Sequence, residues 1–123
     1  MQVLMISLGA SLGALTRWGA GLWLNARWGG FPLGTLAVNV VGGFLIGMAL
    51  AWFSRQPNEL LKLLVVTGFL GGLTTFSSFS GESLVMLQRG AFGMALAHAA
   101  AHLFGALAAA AIGLTMMQRL LEA

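Results

Sequence analysis

The sequence predicts an all-α, polytopic membrane protein with four transmembrane helices, the third of them broken near residues 71–75. Three observations carry that reading. Of 123 residues, 59% are hydrophobic and only 7% charged, where a soluble domain has roughly 25% charged residues. A soluble chain of this composition would expose large apolar patches and aggregate. The few charges also leave four uncharged windows, and each with its flanks reaches the roughly 20 residues that a helix needs to cross a bilayer. Finally, the third window holds adjacent Gly71 and Gly72 followed by Thr74, Thr75, Ser77, Ser78 and Ser80. A helix built this way breaks readily, and the polar groups it frees at membrane depth must face protein or an ion, because lipid cannot satisfy them.

The first helix is expected over about residues 2–24. It lacks a basic n-region and a flanked small-residue cleavage site, so it reads as a retained span, not a signal peptide. Asn25, Arg27, Gly29, Gly30 and Pro32 form the first link, before a helix over 33–54. Arg55 to Glu59 form the second, where Asn58 suits an N-cap and Glu59 the positive first turn of a third helix over 59–88. Gln88-Arg89-Gly90 turns the chain into a fourth helix over 91–118. The whole of 1–123 reads as one membrane domain without repeat or low-complexity tail. Trp18, Trp23, Trp28 and Trp52 fall near span ends, as interfacial anchors do. Gly9 with Gly13, Gly43 with Gly47 and Gly68 with Gly72 recur four apart, a spacing that lets helix backbones approach closely in lipid.

Composition also excludes functions. With no Cys there is no disulfide framework or thiolate metal site, and the net charge of +3 is scattered, which argues against a nucleic-acid partner. An even number of spans puts both termini on one side. Arg55, Lys62 and Arg119 then share that side, opposite Arg27 and Arg89, with Arg17 near them. So weak a bias lets the chain insert either way up, and two orientations can pair as an antiparallel dimer; a single orientation is equally compatible with the count. Four helices are few to enclose a pathway, and twofold dimers are the commonest homo-oligomers, so a second copy is expected.

The polar residues within the spans are the candidates for function. Asn39 is read first as a helix–helix hydrogen bond and second as an amide donor to an anion. Phe76 and Phe79, three apart, share a helix face among hydroxyls; ring edges and O–H groups both present positive charge to an anion without a fixed cation to trap it. His98 and His102, four apart, also share a face. A metal site there needs further ligands, and the chain has no other His and no Cys or Asp, so a polar stripe along a groove is the preferred reading. Arg17 either snorkels or stands at a vestibule, and Glu82 follows the hydroxyl cluster near a pore mouth or interface.

The segments Gly-Ala-Leu-Thr-Arg-Trp (13–18), Gly-Thr-Leu-Ala-Val-Asn-Val-Val-Gly-Gly-Phe (34–44), Thr-Gly-Phe-Leu-Gly-Gly-Leu-Thr-Thr-Phe-Ser-Ser-Phe-Ser (67–80) and Phe-Gly-Met-Ala-Leu (92–96) give the chain a strong resemblance to the small fluoride-channel family called Fluc or CrcB. The resemblance covers nearly the whole chain. It implies a fluoride-selective channel of the bacterial inner membrane, built as an antiparallel, dual-topology homodimer with two pathways, exporting fluoride passively to protect the cytoplasm. Carried onto this sequence, it implies that Phe76 and Phe79 turn ring edges to fluoride, that Asn39 is the pore asparagine, and that Thr75 and Ser78 offer hydroxyls nearby. It places Arg17 at a vestibule and Glu82 after the phenylalanine motif, and it gives the carbonyls of Gly71 and Thr74 to a structural Na⁺ at the dimer axis. The fourth helix departs from the family: His98, His102 and Ala106 stand where many relatives carry tyrosine, serine or asparagine. One hydroxyl is lost and two imidazoles, which titrate near neutral pH, are gained.

Three other classes fit less well. A small four-helix multidrug or cation exporter needs an intramembrane carboxylate, typically on the first helix, and that helix has none. An intramembrane serine hydrolase using Ser80 with His98 or His102 has no recognisable oxyanion support, so no enzyme activity is expected. A purely structural subunit would leave the hydroxyl-rich segment an unexplained cost.

Overall fold

A computed structural model describes residues 1–27 and 31–123. Among the described residues, four helical stretches are long and apolar enough to cross a membrane: Gln2–Leu24, Leu33–Arg55, Glu59–Gln88 and Phe92–Glu122. The first, second and fourth are the uninterrupted helices α1 (Gln2–Leu24), α2 (Leu33–Arg55) and α6 (Phe92–Glu122). The third is composite. A short α3 (Glu59–Lys62) opens it, Asn58 Oδ1 accepting the Leu61 N–H at 3.0 Å as the N-cap. A π-helical stretch, Leu63–Leu70, leads into a three-residue α4 (Gly71–Leu73). Thr74 (φ −86°, ψ 153°) and Thr75 (φ −152°, ψ 122°) are then extended before α5 (Phe76–Gln88) begins. The sequence carries no signal for the wide-turned stretch, which belongs to a class of distortion frequent at functional sites.

The spans pack as two parallel pairs. Along α2 and α6, Gly43 and Gly47 face the carbonyl oxygens of Ala106 and Ala110, and Gly113 faces that of Phe44. Along α1 and the third span, Gly9 and Gly13 face backbone from Leu64 to Leu73, and Gly72 faces the Ala10 carbonyl. At these positions an added Cβ would collide with main chain, so the small-residue spacing read from the sequence is the packing seam itself. Between the pairs, Val38, Leu70 and Leu73 form a compact core with Ala20, Leu45, Ile46 and Phe69 around it. Most other large apolar side chains point outward, as expected of a surface solvated by lipid.

The ends of the spans follow the residue chemistry. Trp18, Trp23 and Trp52 are exposed near helix termini, and the Arg27 guanidinium lies 5.0 Å from the centre of the Trp23 ring. Trp28, Gly29 and Gly30 lie outside the described residues. Gly90, at φ 75°, makes the turn from α5 to α6, a left-handed conformation that only glycine adopts without strain. Arg55 reaches across from the end of α2 to Glu122 at the end of α6, N···O 3.5 Å.

Candidate functional site

The site is organised by the extended pair Thr74–Thr75. In an unbroken helix the Thr75 N–H would go to the Gly71 carbonyl; here it donates to Asn39 Oδ1 at 2.9 Å. The same amide gives its Nδ2–H to the Thr75 carbonyl at 3.1 Å. Asn39 therefore clamps both backbone groups of one residue from the neighbouring helix. The preferred reading of Asn39 as an interhelical bond is what the structure shows, with main chain of the third span as partner and the His102 ring as a second one. One step further on, the Ser78 N–H, whose helical acceptor would be the Thr74 carbonyl, goes instead to Thr75 Oγ1 at 3.1 Å, the N-cap of α5. Thr75 Oγ1 also contacts Ser77 Oγ at 3.2 Å and Ser78 Oγ at 3.3 Å.

This diversion of donors has a consequence on each side. The Gly71 and Thr74 carbonyls are left without a backbone donor among the described residues. The next carbonyl, Gly72, takes the Arg17 Nε–H at 3.1 Å. On the other side, α5 starts within the span, so its first N–H groups and the positive end of its dipole point at membrane depth toward the extended pair.

A groove with a volume of about 530 Å³ opens here. It gathers Asn39 of α2, Gly71, Thr74 and Thr75, Phe76 and Phe79 of α5, and His102 of α6, and its remaining lining is apolar. The Phe76 and Phe79 rings lie 5.5 Å apart at 44°, on one face as their spacing predicts. Phe79 also sits 4.7 Å from His102 and stacks on His98 at 5.0 Å. Phe76 is 79% exposed, so one wall of the groove is open.

The structure does not bring every candidate into that groove. Arg17 of α1 is not among the groove's lining residues, and its Nε–H goes to the Gly72 carbonyl at 3.1 Å. Ser78 is behind the Thr75 cap. His98 is fully buried at 0% exposure and stands 3.6 Å from Glu82 Oε1. Glu82, expected near a pore mouth or interface, is turned inward: its Oε2 accepts the Thr35 Oγ–H at 2.6 Å. The chain of contacts Thr35–Glu82–His98–His102–Asn39–Thr75 is thus continuous, closed by Asn39 Nδ2 to His102 Nδ1 at 3.0 Å. Sequence reasoning missed Thr35, which sits four residues before Asn39 on the same face of α2 and so offered a spacing signal. It also missed Phe31, whose ring meets His98 edge-on at 5.5 Å, and for which no sequence signal exists.

Four apolar spans with a groove lined partly by backbone and amide groups define a multi-pass membrane protein. The comparisons make the class specific. A family profile described as "CrcB-like protein, Camphor Resistance (CrcB)" matches residues 4–114. A protein of Variovorax paradoxus named "Fluoride-specific ion channel FluC" is 53% identical over 123 residues, covering 98% of this chain and 97% of its own. Proteins of the same name from Bordetella petrii (53% over 116 residues; 93% and 89% covered) and Pseudomonas aeruginosa (47% over 122 residues; 98% and 96% covered) are similar throughout. The chain belongs to the CrcB family, a family of ion channels and not of enzymes.

Proposed function

We propose that this chain forms a fluoride-selective channel of the bacterial inner membrane, lowering cytoplasmic fluoride by passive export. The observation that carries the reading is the arrangement around Thr75. Asn39 holds the backbone extended, α5 begins within the third span, and Thr75, Phe76 and Phe79 line one groove. A helix N-terminus, ring edges and hydroxyls are each attractive to a dehydrated anion, and none carries a full charge that would hold it.

The open wall argues for a second copy. Gly71, Phe76, Ser77 and Ser80 are exposed at membrane depth, and polar backbone facing lipid is unfavourable. We infer an antiparallel, dual-topology homodimer that closes the groove and gives two pathways. Two copies of the Gly71 and Thr74 carbonyls would then meet at the axis. Hard oxygen donors of this kind suit Na⁺, and the loss of their helical N–H partners is the feature of this chain that fits such an ion. A cation held there would supply favourable charge close to the anion route.

The test is purified protein in liposomes with a fluoride electrode, run beside chloride. Fluoride efflux well above that of empty lipid, with chloride retained, is the expected result. Phe76→Ile and Asn39→Ala should each lower the flux at least about tenfold, equivalent to about 1.4 kcal/mol on the barrier. If both variants conduct like the native protein, the groove is not the pathway. Crosslinking of differently tagged copies in opposite orientations tests the assembly separately.

A further inference from the structure

The hairpin of α5 and α6 brings one carboxylate and two imidazoles together beside the groove. Glu82, His98 and His102 each offer a ligand atom within 4.8 Å of the others. Four of their polar atoms, Glu82 Oε1, His98 Nδ1, His98 Nε2 and His102 Nε2, are buried without a hydrogen-bond partner among the described residues. Native structures pair such atoms almost always, and an orphaned group of this kind calls for an unseen occupant. Glu82 Oε1 and His98 Nε2 are 3.6 Å apart; in a tetrahedral Zn²⁺ site with bonds of about 2.0–2.2 Å, neighbouring ligand atoms are about 3.3–3.6 Å apart.

We propose that Glu82, His98 and His102 form a binding site for a divalent transition-metal ion of the Zn²⁺ type. Two imidazoles and one carboxylate are a known donor set for such an ion, with a fourth position left for water. Mg²⁺ and Ca²⁺ prefer oxygen ligands and larger coordination numbers, so this set disfavours them. The surroundings resemble an outer shell built for the purpose. Thr35 Oγ1 donates to Glu82 Oε2, which turns Oε1 toward His98. Phe31 and Phe79 enclose the His98 ring.

The site competes with the amide clamp in a defined way. Asn39 cannot turn over, because only its present orientation matches Oδ1 to the Thr75 N–H and Nδ2 to the Thr75 carbonyl. Its Nδ2–H therefore points at His102 Nδ1, which leaves the proton of the neutral ring on Nε2. An ion on Nε2 moves that proton to Nδ1, where it faces a donor. Metal binding thus breaks one hydrogen bond, between Asn39 and His102, and keeps the two that hold Thr75. Occupancy of a buried site is in this way felt by a side chain lining the groove.

The test uses the full chain, purified through a tag without histidine and stripped with chelator, with Co²⁺ titrated as a visible probe. Expected is a tetrahedral Co²⁺ absorption that saturates at one ion per chain, is displaced by Zn²⁺ and is indifferent to excess Mg²⁺. His98→Gln and Glu82→Gln should each weaken it at least tenfold, while Asn39→Ala, which removes the bond the ion must break, should tighten it. Thr35→Val keeps all three ligands, so it serves if the ligand variants fail to fold; loss of its orienting bond should weaken Co²⁺ by roughly 10–100-fold. No saturable absorption in the native protein, or unchanged affinity in folded His98→Gln or in Thr35→Val, overturns the site. Tighter binding absent in Asn39→Ala overturns the competition. The readout is binding alone, so it stands apart from whether the chain conducts fluoride.

Discussion

The α2–α6 seam and the crossing at Thr74–Thr75 both bring backbone from different helices together, and they do it by opposite means. In the seam, Gly43, Gly47 and Gly113 remove side chains so that helices approach until main chain meets main chain. Both helices run unbroken, so backbone hydrogen bonds stay within them. At the crossing, the helix gives up its own bonds, and Asn39 and the Thr75 hydroxyl take over the freed groups. The first arrangement is apolar and holds the fold. The second satisfies the freed N–H groups from side chains and leaves the Gly71 and Thr74 carbonyls, among the groove's lining residues, without a backbone donor among the described residues. A bilayer protein needs both, because the cost of loosening the third span is borne by the tight packing elsewhere.

The contrast can be broken most severely at the seam. In Gly47→Val, the new Cβ is driven into the Ala110 carbonyl oxygen, with the Leu114 N–H also close. Main chain cannot rotate away as a side chain can, so the cost falls at the upper end of overpacking, about 3 kcal/mol or more. Loss of a monodisperse peak in detergent, or a large fall in thermal midpoint, is the expected outcome. Native thermal behaviour in this variant would show that the two helices do not meet as described.

The crossing predicts the reverse pattern. Thr75→Val removes the N-cap hydroxyl of α5 while leaving the backbone bonds to Asn39, which need only the N–H and C=O of residue 75. A lost cap costs about 1 kcal/mol. Fluoride efflux, in contrast, should fall roughly tenfold, about 1.4 kcal/mol on the barrier, because the hydroxyl cluster of Thr75, Ser77 and Ser78 loses its centre. If flux declines only in step with stability, the functional weight assigned to the crossing is misplaced.

Much of this was legible in the sequence, for a physical reason. Span positions follow from where charges are tolerated, and the seams from the four-residue spacing of glycines, both of which are local signals. The Asn58 cap was equally local. Three features were not legible. The π-helical stretch Leu63–Leu70 reads as ordinary apolar helix, because its composition does not depend on which carbonyl each N–H selects. The inward turn of Glu82 depends on Thr35, 47 positions away in sequence. For the same reason the sequence does not show Glu82 as a neighbour of His98 and His102; the α5–α6 hairpin brings it there. Arg17 shows the limit from the other direction. Its local sequence suggests an interface or a vestibule, and nothing in it names the Gly72 carbonyl of another span as the acceptor of its Nε–H.

The smallest effect is expected where the seam ends in water. Arg55 meets Glu122 at 3.5 Å, with side chains 47% and 65% exposed, and exposed pairs of this kind contribute about 0–1 kcal/mol. Arg55 also donates to the Leu121 carbonyl at 3.4 Å, and it stands at the C-terminal ends of both α2 and α6. A cation there interacts with two negative helix ends, each worth about 0.3–1 kcal/mol at low ionic strength. Arg55→Gln should therefore lower stability measurably in dilute buffer, and Glu122→Gln should barely change it, although both abolish the same ion pair. Added salt should shrink the Arg55→Gln effect, because the charges are within reach of mobile ions. Equal losses in the two variants would mean that the ion pair, and not the convergence of helix ends, is what Arg55 serves. A loss in Arg55→Gln as large as that of Gly47→Val would mean that the glycine seam does not carry the fold.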